Sequence, residues 1–255
     1  MEKKYNLGIA FGGGGARGYY HAGVLKRLLE LGYKPDIVSG TSAGAIVAAM
    51  YAQGLTVDRM IEAFRHLLLK DFLRSRIRRE YLVDSKPLRK ILENAFKART
   101  FEELDIPLKI VATCLETAKE VVFESGPLID AVMASCSIPV IFPPVVIQGK
   151  HYVDGGVVRN VPVSVIREKC KKVMAVNLFP VPAKDMEYTG SMRYITERCV
   201  TLMFHASASY DTNLADLVIE DVEMAGFNVY DLKHREEMFR IGYHARALKL
   251  LHKME

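Results

Sequence analysis

The sequence contains little cysteine, and its cysteines are scattered. Cys114, Cys136, Cys170 and Cys199 lie far apart and include no C-x-x-C pair. This spacing argues against a zinc site and against a disulfide scaffold, so no metal site is predicted. We expect the cysteines to be buried and reduced, as in a cytosolic protein.

Long apolar runs are also missing. No stretch approaches the roughly 20 apolar residues that a membrane-spanning helix needs. Lysines near the start precede an apolar run, as in a signal peptide, but glycines end that run at Gly12. The run is shorter than the roughly 7 to 15 residues of a signal-peptide core, so it predicts a first β-strand. We expect a cytoplasmic protein with at most peripheral contact with the inner membrane surface.

The excess of one charge sign is small. The chain has 35 basic and 30 acidic residues, which gives a formal net charge of +5. A mild positive charge suits anionic lipid surfaces and nucleic acids alike and identifies neither. The chain has 255 residues, of which 50% are hydrophobic, enough for a substantial core in a single α/β unit.

Short apolar runs alternate with amphipathic segments along the chain. Strands are predicted at residues 7–11, 36–40, 108–115, 120–125 and 172–179, within 215–221, and in a hairpin over 145–156. Helices are predicted at residues 18–32, 42–54, 127–137, 190–210 and 234–252, and over most of 56–98. Strands separated by helices favour a largely parallel sheet that is covered on both faces.

A glycine-rich loop, GGGGARG, follows the first predicted strand at residues 12–18. Gly13, Gly15 and Gly18 satisfy G-x-G-x-x-G, the dinucleotide-binding pattern. That fold also needs an acidic residue after the second strand, whereas Asp36 precedes it. No Lys-Ser or Lys-Thr follows the glycines, which excludes a Walker loop. A turn that needs positive φ explains one or two glycines better than four. The loop alone could therefore bind either a nucleotide phosphate or the oxyanion of a reacting ester.

A second glycine-flanked turn contains a serine. GTSAG, residues 40–44, matches G-x-S-x-G between the apolar DIVS and a helix of small residues. A nucleophile elbow needs this arrangement, because its serine stands on a strained strand-to-helix turn where backbones approach closely. Ser42 would lie at the amino end of a helix, whose dipole favours developing negative charge. The G-x-S-x-G pattern is common by itself, so it is the position between a strand and a helix that favours a catalytic role for Ser42.

A serine nucleophile needs a base. Four histidines lie in predicted helices, where surface or packing roles are usual: His205, His234, His244 and His252. His21 is also assigned a structural role, and His151 lies on the predicted hairpin without a defined orientation. Asp154 precedes two glycines at the end of an apolar strand. An ordinary Asp-Gly turn would explain that pattern alone, but its combination with the two earlier loops favours Asp154 as the base.

Together the three motifs resemble the patatin-like phospholipase family. In that family a glycine-rich loop ending in Arg-Gly or Lys-Gly precedes G-x-S-x-G and then Asp-Gly-Gly or Asp-Gly-Ala. Here the motifs are GGGARG at 13–18, GTSAG at 40–44 and DGG at 154–156. The segments HAGVLKRLLELG and ASCSIPVIFPPV fit as well. The resemblance covers residues 7–168 as the catalytic region, and residues 169–255 would complete the same α/β unit.

The resemblance implies a three-layer α/β/α sandwich and a Ser-Asp dyad that needs neither a catalytic histidine nor a cofactor. Ser42 would attack an ester carbonyl to form an acyl-enzyme, and Asp154 would accept the proton. The oxyanion hole would use backbone N–H groups of Gly13, Gly14 and Gly15. The remaining motif residues would support these loops: Arg17, Gly18, Gly40, Gly44, Gly155 and Gly156. For Arg17, electrostatic support of the loop and a structural ion pair are equal alternatives.

The implied substrates are acyl esters of lipids. Residues 67–81, LLLKDFLRSRIRREY, suit either a basic amphipathic surface beside an anionic membrane or an ordinary helix with a solvated charged face. No nucleic-acid partner is predicted. The first function expected is a serine lipid acyl hydrolase of phospholipase A or lysophospholipase type. The alternatives are an acyltransferase or thioesterase on the same dyad and a non-enzymatic nucleotide-binding or regulatory module, which the intact motifs disfavour.

Overall fold

The computed structural model describes residues 3–65, 83–181, 188 and 190–254. The described strands are β1 Tyr5–Phe11, β2 Ile37–Thr41, β3 Leu108–Cys114, β4 Lys119–Phe123, β5 Val145–Ile147, β6 Lys150–Asp154, β7 Cys170–Val176 and β8 Leu217–Ile219. The described α-helices are α1 Gly18–Glu30, α2 Ala43–Ala52, α3 Val57–Phe64, α4 Lys86–Ala95, α5 Leu128–Ser135, α6 Ser164–Arg167, α7 Met192–Thr212 and α8 Arg235–Tyr243. Short 3-10 helices cover Gly15–Arg17, Phe101–Glu103, Gly155–Val157, Val222–Gly226 and Arg246–Met254.

One mixed sheet contains all of these strands. Its order is β5-β6-β3-β2-β1-β7-β8, and β4 pairs with β3. The neighbouring strands in the part β3-β2-β1-β7-β8 of this order are parallel. In contrast, β4 and β6 are antiparallel to β3, and β5 is antiparallel to β6. The predicted, largely parallel sheet is therefore confirmed. Because β1 and β2 are parallel neighbours, the loops that follow them start side by side at one edge of the sheet.

The sheet separates two apolar cores. Ile9 and Phe11 of β1 belong to the core formed with α1, α2 and α5. Ala10 belongs to the core on the other face, with Ile166 of α6 and Ala208 of α7. Since successive side chains of a strand point to opposite faces, helices cover both faces of the sheet. This is the three-layer arrangement that the sequence predicts.

β2 and β6 share one edge of β3. Thr41, the last residue of β2, lies opposite Val111. Asp154, the last residue of β6, lies opposite Ala112. β4 occupies the other edge of β3 over the same residues. The two strands therefore meet end to end, and the residues at their ends approach from opposite directions.

The prediction of one long C-terminal helix over residues 234–252 is wrong. The chain forms α8 and then the 3-10 helix Arg246–Met254. The break comes at His244, with φ −103° and ψ 18°, where the chain turns away from α8. After the turn, Ala245 and Leu248 are buried. Packing of these side chains beside β8 thus overrides a continuous helical pattern.

The prediction of four buried cysteines holds for Cys114, Cys136 and Cys170, but it is wrong for Cys199, which is exposed. Cys199 precedes the buried Ala208 by roughly two and a half turns of α7 and so lies on the opposite side of that helix.

Two other predictions concern a helical region and membrane contact. α3 and α4 confirm helix near both ends of the predicted region 56–98. The predicted membrane-contact stretch 67–81 lies outside the described residues. Among the residues that are described, no helix has the length and apolar character needed to cross a membrane.

Candidate active site

The glycine-rich loop leaves the carboxyl end of β1. The Gly13 N–H donates to the backbone carbonyl of Asn160 at 3.1 Å. Gly15 has a φ of 57°, which glycine adopts without steric cost. The backbone N–H groups of Gly14 and Gly15 meet no acceptor in the described part of the chain. Of the three predicted oxyanion donors, Gly13 is therefore already engaged, and Gly14 and Gly15 are not.

Ser42 occupies a sharp turn between β2 and α2. Its φ of 54° and ψ of −123° place a non-glycine residue in the left-handed half of conformational space, at a cost of about 1–3 kcal/mol. Side chains would not fit around this turn, because a Cβ on Gly44 would overlap the carbonyl of Phe11 and one on Gly40 would overlap that of Gly44. The geometry is that of a nucleophile elbow, at a helix terminus whose free N–H groups attract negative charge.

Ser135, at the end of α5, supports the elbow. The Ser42 N–H donates to Ser135 Oγ at 2.8 Å, and the Ser135 hydroxyl donates to the Val111 carbonyl at 2.7 Å. Ser135 is fully buried. No sequence pattern predicts this role, because a serine within an apolar helical segment gives no sign of the partner it will meet.

Asp154 ends β6 and caps the 3-10 helix Gly155–Val157. Its Oδ1 accepts the Gly156 N–H at 2.8 Å, and its own N–H donates to the Ser137 carbonyl at 2.9 Å. Only 2% of the residue is exposed. Burial raises the pKa of Asp154 to about 6, although hydrogen bonds from Ser42 and Gly156 oppose the rise. The group is therefore a stronger base than an ordinary aspartate and is still ionised at neutral pH.

The Ser42 side chain lies beside Asp154, because its hydroxyl lowers the pKa of the Asp154 carboxyl. The Cys136 thiol also contacts the Ser42 side chain, and burial raises the pKa of this thiol well above its usual value. Cys136 thus stays neutral beside the pair. The structure brings together the nucleophile and the base that the sequence predicts.

The other motif glycines lie where the three loops touch. A Cβ on Gly13 would lie 3.1 Å from the Ser42 Cβ, and a Cβ on Gly18 would lie 3.1 Å from the Ala43 Cβ. A Cβ on Gly156 would lie 2.7 Å from the Phe204 ring in α7, and Gly155 packs against the backbone of β3. The glycine loop, the elbow and the aspartate turn therefore converge on Ser42.

Arg17 anchors the glycine loop to later parts of the chain. Its Nη1 donates to the Leu178 carbonyl at 2.7 Å, and Nη2 and Nε donate to the Phe227 carbonyl at 2.6 and 3.0 Å. The guanidinium also lies 4.8 Å from the Phe179 ring centroid. Arg17 is 5% exposed. These contacts hold the loop through backbone carbonyls and an aromatic face.

His21 is buried behind the glycine loop, as the structural role predicted for it requires. Its Nε2 lies 2.7 Å from the Gly12 carbonyl. Burial lowers the pKa of His21 to about 4. The ring is therefore neutral at physiological pH, with Nε2–H donating to Gly12.

The other histidines that the structure describes pair with groups other than Ser42. His151 is exposed, and its Nδ1 lies 2.6 Å from Glu116. His205 Nδ1 lies 3.2 Å from the Phe179 carbonyl. No hydrogen bond joins a histidine to Ser42 in the described ranges, and no three His, Cys, Asp or Glu side chains there are arranged to hold a metal ion.

Arg159 and Asn160 join the three loops. The Arg159 carbonyl accepts the Thr41 hydroxyl at 3.0 Å, and the Asn160 carbonyl accepts the Gly13 N–H. The Arg159 guanidinium forms an ion pair at 2.7 Å with Asp211, a fully buried carboxylate of α7. The only sequence signal for this pair is its position shortly after the DGG motif, which does not specify its partners.

A family model described as patatin-like phospholipase matches residues 9–166. An uncharacterized NTE family protein of Mycobacterium tuberculosis is 30% identical over 212 residues, covering 80% of this chain and 59% of that protein. The patatin-like phospholipase domain-containing protein 6 of Mus musculus is 29% identical over 193 residues, covering 72% of this chain and 14% of that protein. The chain thus matches about three fifths of the mycobacterial relative and a small part of the mouse one.

Two solved structures share the fold. VipD from Legionella pneumophila superposes with a TM-score of 0.62 at 14% identity, covering 98% of this chain and 67% of that one. The type III effector protein ExoU superposes with a TM-score of 0.51 at 12% identity, covering 98% of this chain and 53% of that one. At these identities the likeness concerns the fold alone.

Proposed function

Because the chain belongs to the patatin-like phospholipase family, we propose that it is a serine lipid acyl hydrolase of phospholipase A or lysophospholipase type. The observation that carries this proposal is the buried Asp154 carboxylate beside Ser42, whose hydroxyl lowers the pKa of that carboxyl. A hydroxyl on a strained turn, beside a base and a helix terminus, has the three features of an activated nucleophile.

In the acylation step, Ser42 Oγ bonds to the ester carbonyl carbon while its proton passes to Asp154. When the tetrahedral intermediate collapses, the ester C–O bond breaks and Asp154 returns the proton to the departing alcohol. Water then attacks the acyl-enzyme, again losing its proton to Asp154, and the free acid leaves as Ser42 is reprotonated. The raised pKa of Asp154 suits both directions of proton transfer.

Negative charge on the intermediate needs donors from the backbone. The N–H groups of Gly14 and Gly15 have no acceptor among the described residues. The Ala43 N–H, next to the nucleophile at the start of α2, is a third donor of the kind that nucleophile elbows use. One such donor contributes on the order of 10² to 10³ in rate in other enzymes. We assign the oxyanion hole to these three groups.

Labelling with a fluorophosphonate probe tests the proposal. The native protein should label, and Ser42→Ala should not, because the probe reacts with the serine oxygen. Asp154→Asn should label far more slowly. Ser209→Ala is the control, since Ser209 donates to the His205 carbonyl within α7. Equal labelling of Ser42→Ala and the native protein would show that another residue is the nucleophile.

A lipid substrate is met at a membrane surface, so the proposal includes the contact with an anionic membrane that the sequence predicts for residues 67–81. Co-sedimentation with anionic vesicles should exceed that with neutral vesicles and should weaken as salt is added, because exposed charges are screened. Equal binding to both vesicle types would contradict the electrostatic contact.

Product analysis with and without an acceptor alcohol separates hydrolysis from acyl transfer on the same dyad.

A further inference from the structure

The Asn160 side chain lies between the two loops that flank the dyad. The residue is 1% exposed. Its Oδ1 lies 2.7 Å from the position that a Cβ would take on Gly13, and that position is 3.1 Å from the Ser42 Cβ. The same Oδ1 and the Asp154 Oδ1 each lie 3.1 Å from the corresponding position on Gly156. The amide therefore borders the nucleophile on one side and the base on the other.

The amide nitrogen of Asn160 is buried without an acceptor. Nδ2 has no hydrogen-bond partner in the part of the chain that the structure describes. The other buried asparagine of the sheet region, Asn177, has a partner at both side-chain atoms: its Nδ2 donates to Glu220 at 2.7 Å and its Oδ1 accepts the Phe179 N–H at 3.1 Å. An unpaired buried donor is destabilising, so its retention beside Ser42 requires a reason.

We infer that the Asn160 amide donates a hydrogen bond to an oxygen atom that the reaction brings to the dyad, which makes Asn160 a further catalytic residue. This inference rests on the proposed function. The adjacent Gly13 N–H cannot serve, because the Asn160 carbonyl already accepts it. A neutral amide also suits the site better than a cation, since a positive charge here would lower the pKa of Asp154 and weaken the base.

Two oxygen atoms can fill this role. One is the carbonyl oxygen of the ester, which becomes negatively charged when Ser42 attacks. The other is the water that hydrolyses the acyl-enzyme. Pre-steady-state kinetics with a p-nitrophenyl ester separate them, because the burst reports acylation and the following linear phase reports deacylation. A slower burst assigns the ester oxygen, and an unchanged burst with a slower linear phase assigns the water.

Two variants remove the donor. Asn160→Leu keeps the approximate size of the side chain and eliminates the unpaired nitrogen, so its melting temperature should equal or exceed that of the native protein. Asn160→Asp keeps the shape and replaces the donor by an acceptor. We expect both to lose one rate constant by on the order of 10², as for other oxyanion donors, with the dissociation constant of the substrate changed little. Should Asn160→Leu fail to fold, Asn160→Asp gives the same test.

Tyr20→Phe is the matched control, because it removes a buried hydrogen bond of 2.8 Å to Asp221 in another part of the protein. Folded Asn160 variants with both rates within about threefold of the native values would overturn the inference, because one donor normally has a far larger effect. A loss that merely follows a fall in melting temperature, as in Tyr20→Phe, would also overturn it and indicate a structural role. Failure of the native protein itself to label with the fluorophosphonate would instead reject the proposed function.

Discussion

Ser42 and Asp154 lie beside each other because β2, which precedes Ser42, and β6, which Asp154 ends, stop at neighbouring residues of β3. Val111 lies opposite the last residue of β2, and Ala112 lies opposite Asp154 itself. The separation of the proposed nucleophile and base is thus set by the register of a sheet rather than by flexible loops. Rigid elements of this kind hold reacting groups more precisely than loops do.

The pH dependence of catalysis should follow Asp154. Only the ionised carboxylate can accept the Ser42 proton, and burial raises the pKa of this group to about 6. We therefore expect kcat/KM to rise with pH through about 6 and then reach a plateau. Ester hydrolysis measured between about pH 4.5 and 8 checks this. Ser209→Ala should give the same profile, whereas a profile that is flat across pH 6 would contradict the role of Asp154.

Stability should depend on pH in the opposite sense to that of an ordinary paired aspartate. The folded protein binds a proton at Asp154 more tightly than the unfolded chain, because the pKa rises from 3.8 to about 6. Stability is therefore lost as pH rises through this window. Asp154→Asn removes the buried charge and should be more stable than the native protein above about pH 6, by up to roughly 3 kcal/mol.

Urea unfolding of both proteins at several pH values measures this difference in the free energy of unfolding. The advantage of Asp154→Asn should shrink as pH falls from about 6 and disappear below 3.8, where the carboxyl of the native protein is protonated in the folded and the unfolded state. An advantage that grows as the solution is acidified would contradict the raised pKa.

The backbone at Ser42 should prefer glycine to alanine. Its φ of 54° strains any residue with a Cβ, so Ser42→Gly should be more stable than Ser42→Ala by about 1–3 kcal/mol. Exposed Glu237 in α8 provides the control, because glycine there should be less stable than alanine by about 1 kcal/mol. Chemical denaturation of the four variants measures both differences. If the alanine variant were more stable than the glycine variant at both positions, the turn at Ser42 would be unstrained.

The elbow should not tolerate a methyl group at Gly44. The Cβ of Gly44→Ala would overlap the carbonyl of Phe11, which is backbone and cannot rotate away. We expect a loss of about 1–3 kcal/mol or more, together with slower fluorophosphonate labelling. Gly226→Ala is the control, since a Cβ there meets no atom within 4 Å. Native labelling by Gly44→Ala would mean that α2 can shift without disturbing Ser42.

The parts of the site that depend on local sequence could be predicted. Glycines at 40 and 44 around Ser42 indicate a tight turn, because only small residues allow that backbone approach. Alternating strand and helix patterns likewise predict the parallel part of the sheet. Both inferences use neighbouring residues, whose spacing is directly visible in the chain.

The rest depends on contacts between distant segments. Antiparallel pairing of β6 with β3 places Asp154 at the end of β2, and no local pattern specifies that register. The engagement of Gly13 by Asn160 and the exposure of Cys199 have the same origin, because each depends on how far-apart segments pack. The split of the predicted C-terminal helix likewise reflects burial of Leu248 rather than helix propensity.

The position of β7 limits how the protein can be shortened. β7 pairs along its whole length with β1, the strand that carries the glycine loop. A fragment ending at Glu168 would retain all three motifs but would expose β1 as a long apolar edge, which promotes aggregation. It would also leave Arg159 without Asp211. We therefore expect the smallest soluble, active fragment to include segments well beyond the last residue that the family model matches.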